Sequence, residues 1–190
     1  LKGYGETLFQ KSFPKQQTIT GLREGGRFYI RRSGLKLLVL GIGNVLMNDD
    51  AAGALVVREL AEEYAEDEEL HIVEGGTLGL DLLPMVEWCE RLVLADAVDL
   101  DLDAGTVVRI DGRDVEPVFE CKLSPHQMGM KDLLLAAELA GYRPPEVVLY
   151  GIQVKSVQMD MELSPEVKKG MERLKEHLQK EIEAHLSKRS

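Results

Sequence analysis

The sequence predicts a three-layer α/β/α domain: a twisted, mostly parallel β-sheet covered by helices on both faces. Three observations lead there. From residue 35 onward, short apolar runs alternate with stretches of helical spacing. The runs at Leu35–Ile42 and Arg91–Ala97 are almost uninterrupted in apolar residues, which suits strands buried on both faces. Glycine- or proline-bearing turns separate several of the segments.

The elements follow in order. Leu35–Ile42 reads as a buried strand. After a glycine-rich turn, Ala51–Tyr64 places Ala51, Ala54, Leu55, Leu60, Ala61 and Tyr64 at helical spacing. Glu62–Glu69 is an acidic run, read as a solvated helix end and loop. Leu70–Val73 is a short strand ending at Glu74-Gly75-Gly76, and residues 79–88 form a short helix. Arg91–Ala97 is the second buried strand, and Thr106–Ile110 is a strand after an acidic turn. Gln127–Ala140 is a helix closed by Gly141 and the Pro144-Pro145 break. Val147–Ile152 is the last strand. Ser164 caps, and Pro165 opens, a final helix running to about residue 186.

The charge is uneven. Residues 1–34 carry seven Lys/Arg and two Glu, a balance of +5, whereas the rest of the chain carries −15. This segment lacks a clear period and is punctuated by glycines, so it is read as a basic N-terminal extension outside the α/β domain of residues 35–190, an expression remnant or flexible arm, with a basic docking arm as the alternative. Phe28–Arg32 within it has the composition of an edge strand. The overall charge of −10 argues against a nucleic-acid partner, because phosphate binding needs a basic face. No apolar run approaches the roughly 20 residues that span a bilayer. The two cysteines, Cys89 and Cys121, form no CxxC pair, which excludes a disulfide framework and a cysteine-built metal site. A reducing cytoplasm is the expected location.

Gly41-Ile42-Gly43-Asn44 sits between a strand and a helix, as a dinucleotide loop does, but the details differ. Position 46, where a third glycine belongs, is Leu46. Asn48, Asp49 and Asp50 crowd the helix start, where carboxylates compete with phosphate for the free N–H groups. Asn48 or Asp49 is expected to cap the helix, which leaves a second adjacent acid to be explained.

Ligands of doubly wound sheets bind outside the carboxyl ends of the strands. Asp50 follows the first strand, and Asp96 lies at the end of an apolar strand where an unpaired acid is costly. His126 lies in a turn that opens a helix. If the strands adjoin, two carboxylates and one imidazole converge, a mixed set that suits a borderline divalent metal. Each also has a plainer reading, as a capping acid, a paired acid or a satisfied turn histidine. His71, His177 and His185 are weaker candidates, the last two expected on an exposed helix face. Cys121 has no evident activating partner, and no GxSxG or HExxH motif occurs.

Four segments carry a family resemblance. Leu38-Val39-Leu40-Gly41-Ile42-Gly43-Asn44-Val45-Leu46-Met47-Asn48-Asp49-Asp50 resembles the opening signature of the hydrogenase maturation endopeptidases. Glu74-Gly75-Gly76-Thr77-Leu78-Gly79 resembles their Gly-Gly-Thr segment, Leu94-Ala95-Asp96-Ala97 their Ala-Asp-Ala strand end, and Ser124-Pro125-His126-Gln127 their Ser-Pro-His segment. The resemblance spans roughly residues 36–186. It implies an endopeptidase that removes the C-terminal peptide of a nickel-loaded [NiFe]-hydrogenase large-subunit precursor. Asp50, Asp96 and His126 would be its metal-associated and catalytic residues, and the nickel would be supplied by the substrate, with other divalent metals able to occupy the site. Gly75, Gly76 and Thr77 would let the extended tail approach the backbone, although a tight strand-to-helix turn explains the glycines equally well. The free protein is expected to be monomeric. The alternative is a nickel-binding chaperone or insertion factor without proteolysis.

Overall fold

The computed structural model describes residues 20–24, 27–31, 35–120 and 125–188, with side chains described for 35–119 and 130–188. The chain forms two compact units, Leu1–Gly34 and Leu35–Ser190. In the first, β1 (Thr20–Glu24) and β2 (Arg27–Arg31) make an antiparallel hairpin. Residues 28–31 of the expected edge strand at 28–32 lie in β2 and pair with β1, and Arg32 lies outside the described residues.

The second unit runs β3 (Leu37–Ile42), a 3₁₀ turn (Asn48–Ala51), α1 (Ala52–Glu63), β4 (Leu70–Gly76), a 3₁₀ turn (Gly79–Leu82), α2 (Leu83–Trp88) and β5 (Arg91–Val98). It continues through β6 (Val107–Asp111), a 3₁₀ turn (Gly112–Asp114), α3 (Val115–Glu120), α4 (Pro125–Leu139), β7 (Glu146–Gln153) and α5 (Pro165–Ser187). The five-stranded sheet has the order β4-β3-β5-β7-β6. All neighbouring pairs are parallel except β6 with β7.

Period-two alternation along the buried strands feeds two cores. Leu38, Leu40, Leu92, Leu94, Val147 and Leu149 face α2, α3 and α4, where they meet Val86, Phe119, Met130 and Leu133. Leu37, Val39, Val93, Val148 and Tyr150 face α1 and α5, where they meet Val56, Leu60, Leu174 and Leu178. This division is the three-layer arrangement the apolar runs predict. Edge strand β6 departs from them: it is half exposed and carries an Arg109–Asp111 ion pair at 2.6 Å, features that blunt an open edge. Its antiparallel direction is a common ending for an otherwise parallel sheet.

Two local readings are corrected, and one helix is added that the sequence did not predict. No side chain caps the turn at Asn48 or the start of α1; the cap positions are Met47 and Ala51. Helix α3, only six residues long, falls in a stretch too short to show a period. His185 is buried in the last turn of α5, where the carbonyl end of the helix favours a basic group, whereas His177 is exposed and stacks on Tyr150 at 5.4 Å. The Ser164 cap is present: its side chain accepts from the Val167 amide at 3.4 Å, with Pro165 at the first turn. Cys121 lies outside the described residues.

Two glycines determine how closely α1 sits on the sheet. A Cβ on Gly53 would lie 2.3 Å from the Ala95 carbonyl oxygen and 2.5 Å from that of Ile42. Gly43 has φ +136°, and a Cβ there would lie 1.9 Å from the Asp50 carbonyl oxygen. The first turn of α1 therefore rests directly on the carboxyl ends of β3 and β5. These glycines serve close packing.

Gly53→Ala should lower the urea midpoint, at or beyond the upper end of the about 1–3 kcal/mol typical of overpacking, since the opposing atoms are backbone. Cys89 is buried, donates to the Val86 carbonyl at 3.4 Å, and its thiol is pushed by burial from 9.0 up to about 12. It should resist alkylation in the native protein at pH 8 and react on unfolding. The native state keeps the proton that the unfolded chain loses above pH 9.0, so this contribution to stability should fall as pH rises toward about 12.

Candidate active site

Strand β3 opens the domain, β4 lies on one side of it and β5 on the other. The β3–β4 connection carries α1 on one face, and the β4–β5 connection carries α2 on the opposite face. The winding reverses at β3, and such a reversal opens a crevice at the carboxyl ends of the flanking strands.

Asp50 and Asp96 lie at the carboxyl ends of β3 and β5, where this topology places a binding crevice. Asp50 is in the 3₁₀ turn directly after β3, 1% exposed, and its Oδ2 accepts the Asn44 amide at 2.9 Å. Asp96 is fully buried in β5, one residue beyond the last β3–β5 pair, Gly41↔Ala95, and still registered with Gly151 of β7. By strand alternation it shares the face of Leu92 and Leu94, the side covered by α4. The turn bearing Asp50 contacts β5. Position 126 is in the first turn of α4, on Asp96's side of the sheet. The His126 side chain lies outside the described residues. Among the described residues, no three His, Cys, Asp or Glu side chains form a metal-holding group.

Gly75, Gly76 and Thr77 end β4 at the same edge of the sheet. The register jumps from Gly41↔Glu74 to Ile42↔Gly76, which leaves Gly75 as a bulge. A Cβ on Gly75 would meet Leu40 Cδ1 at 2.7 Å and Leu82 Cδ1 at 3.0 Å. Gly76 has φ +52°, and its carbonyl accepts the Gly43 amide at 3.1 Å. Turn geometry thus accounts for both glycines, while Thr77 is exposed beside the crevice.

The adjacent acids have different duties. Asp49 is fully buried and accepts three backbone N–H groups of the loop between β7 and α5. Its Oδ2 takes Lys155 at 2.9 Å and Ser156 at 3.2 Å, and its Oδ1 takes Ser164 at 2.7 Å. Asn48 completes the clamp: its Nδ2 donates to Ser156 Oγ at 2.8 Å, and its Oδ1 accepts the Gln158 amide at 3.0 Å. The Asn48 amide donates to the Asp160 carbonyl at 2.5 Å. Sequence reasoning missed this role because the partners lie more than 100 residues away. The available signal was the acid left over at the helix start.

A family model described as "Hydrogenase maturation protease" (HycI) matches residues 54–181. The Hydrogenase 2 maturation protease of Escherichia coli is 34% identical over 134 residues, covering 70% of this chain and 82% of that protein. The hydrogenase expression/formation protein HupD of Rhodobacter capsulatus is 42% identical over 120 residues; the match covers 62% of this chain and 57% of that protein, so the chain spans little more than half of HupD. Among solved structures, the hydrogenase maturating endopeptidase HybD from E. coli superposes with a TM-score of 0.71 at 32% identity, covering 76% of this chain and 90% of that one.

Asp49→Ala should remove the acceptor of three part-buried amides, at a cost of up to about 1–3 kcal/mol for each one that water cannot reach. Amide hydrogen exchange should accelerate first at Lys155, Ser156 and Ser164.

Proposed function

The chain belongs to the hydrogenase maturation protease family, and on that premise we propose that it removes the C-terminal peptide of a nickel-loaded [NiFe]-hydrogenase large-subunit precursor. In this reading the enzyme recognises the nickel held by its substrate, with Asp50, Asp96 and His126 as the recognising groups. The observation that carries it is the pair of buried acids on adjoining strand ends, Asp50 after β3 and Asp96 in β5.

Burying carboxylates is expensive unless a countercharge or donors meet them. Asp49 is matched by three backbone amides and is structural. Asp50 Oδ2 accepts the Asn44 amide. Two carboxylates with an imidazole form an oxygen–nitrogen set suited to nickel, zinc, iron or manganese. Three protein groups leave coordination positions for ligands from the precursor itself, as reading a substrate-held metal requires. A divalent ion there would supply Lewis-acid polarisation of a carbonyl. The chain's own part is to orient: the turn after β3 holds the Asp50 carboxylate through the Asn44 amide, and β5 holds Asp96 rigidly within the sheet. The exposed Thr77 edge offers backbone groups to an extended tail.

The test is to mix the full chain with nickel-loaded precursor and weigh the precursor by mass spectrometry. A defined C-terminal peptide should be lost with nickel-loaded precursor and retained with nickel-free precursor. Asp50→Asn, Asp96→Asn and His126→Ala should each slow cleavage by about 100-fold or more. Stable complex formation with an unchanged precursor mass would overturn the protease reading in favour of a nickel chaperone or insertion factor.

A further inference from the structure

The loop between β7 and α5 combines two properties that a passive connection does not need together. Asn48 and Asp49, both buried, hold it by six hydrogen bonds, five to its backbone and one to Ser156 Oγ. Yet it turns apolar side chains outward: Met159 is 87% exposed and Met161 75% exposed, with Val157 also exposed. Met47 bridges to Met159 and Asp160, which brings the exposed Leu46 turn alongside. Exposed acids, Asp160 and Glu162, alternate with the methionines.

We infer that Leu46, Val157, Met159 and Met161 form the docking surface for the folded body of the protein substrate, beside the tail that enters the crevice. The partner's matching surface is an apolar patch flanked by lysine or arginine. This rests on the proposed protease reading for the identity of the partner. Continuity argues for that occupant. The Asn48–Ala51 turn that carries Asp50 also anchors the loop, so a protein seated on the methionines is held at a set position relative to Asp50. Charge argues the same way, since the interleaved acids select basic groups around an apolar contact. A fixed backbone lowers the ordering cost of binding, while flexible thioether side chains adapt to the partner's relief.

The test uses the full chain and a nickel-loaded [NiFe]-hydrogenase large-subunit precursor that retains its C-terminal extension. Binding and cleavage are measured separately for the wild type, the double variant Met159→Lys/Met161→Lys, and the control Leu139→Lys. Leu139 is exposed at the end of α4 that leads into β7, on the opposite edge of the sheet. Because both methionines are exposed, the double variant should melt at the wild-type temperature. Its Kd and KM should rise at least about 10-fold with kcat unchanged, while Leu139→Lys should behave as wild type. Raising the salt concentration should weaken wild-type binding. Loss of binding in the double variant, together with a wild type that binds without cleaving, would uphold the docking surface and overturn the protease reading. Wild-type Kd and KM in the double variant would overturn the docking surface and leave the protease reading standing. A wild-type chain that does not bind the precursor would overturn the docking surface as well.

Discussion

The carboxyl edge of this domain depends on the backbone contact between the Asn48–Gly53 segment and the ends of β3 and β5. Gly53 rests on the carbonyls of Ile42 and Ala95, and Gly43 rests on the carbonyl of Asp50. A side chain at either position would lift the start of α1 from the sheet. The same contact determines where Asp50 stands relative to β5 and where Asn48 and Asp49 meet the β7–α5 loop. Fold, candidate site and loop anchorage thus share one short turn.

That turn separates two adjacent acids by geometry. A 3₁₀ helix has three residues per turn, so successive side chains leave its axis about 120° apart. Asp49 is directed to the amides of Lys155, Ser156 and Ser164, and Asp50 toward the Asn44 amide. An α-helical cap would have used one acid on the helix's own N–H groups. Here neither helix start has a side-chain cap; Asp49 serves tertiary partners and Asp50 the loop just before it.

Burial on both faces explains why the central sheet was readable from the chain. Strands β3, β5 and β7 are covered on both sides and appear as apolar runs with few interruptions. Edge strand β6 has one wet side and a mixed pattern, so its direction was not visible in its composition. Helix α3 is too short for periodicity to accumulate. His185 reads as a polar residue on a charged helix, yet the turn it occupies is packed under.

By itself, the sequence determined the α/β/α class, the approximate spans of the buried elements, and the candidates Asp50 and Asp96 at strand ends. These are local properties: period, run length and the cost of an acid after an apolar strand are written in neighbouring residues. Tertiary structure alone decided that β3 and β5 adjoin, that Gly43 and Gly53 sit in close backbone contact, and that Asp49 is a clamp. It also decided that Met159 and Met161 face solvent next to Leu46 rather than entering the core. The physical reason is distance along the chain. Asn48 and Asp49 find their partners more than 100 residues later, and no local pattern records a hydrogen bond that only the folded sheet can close.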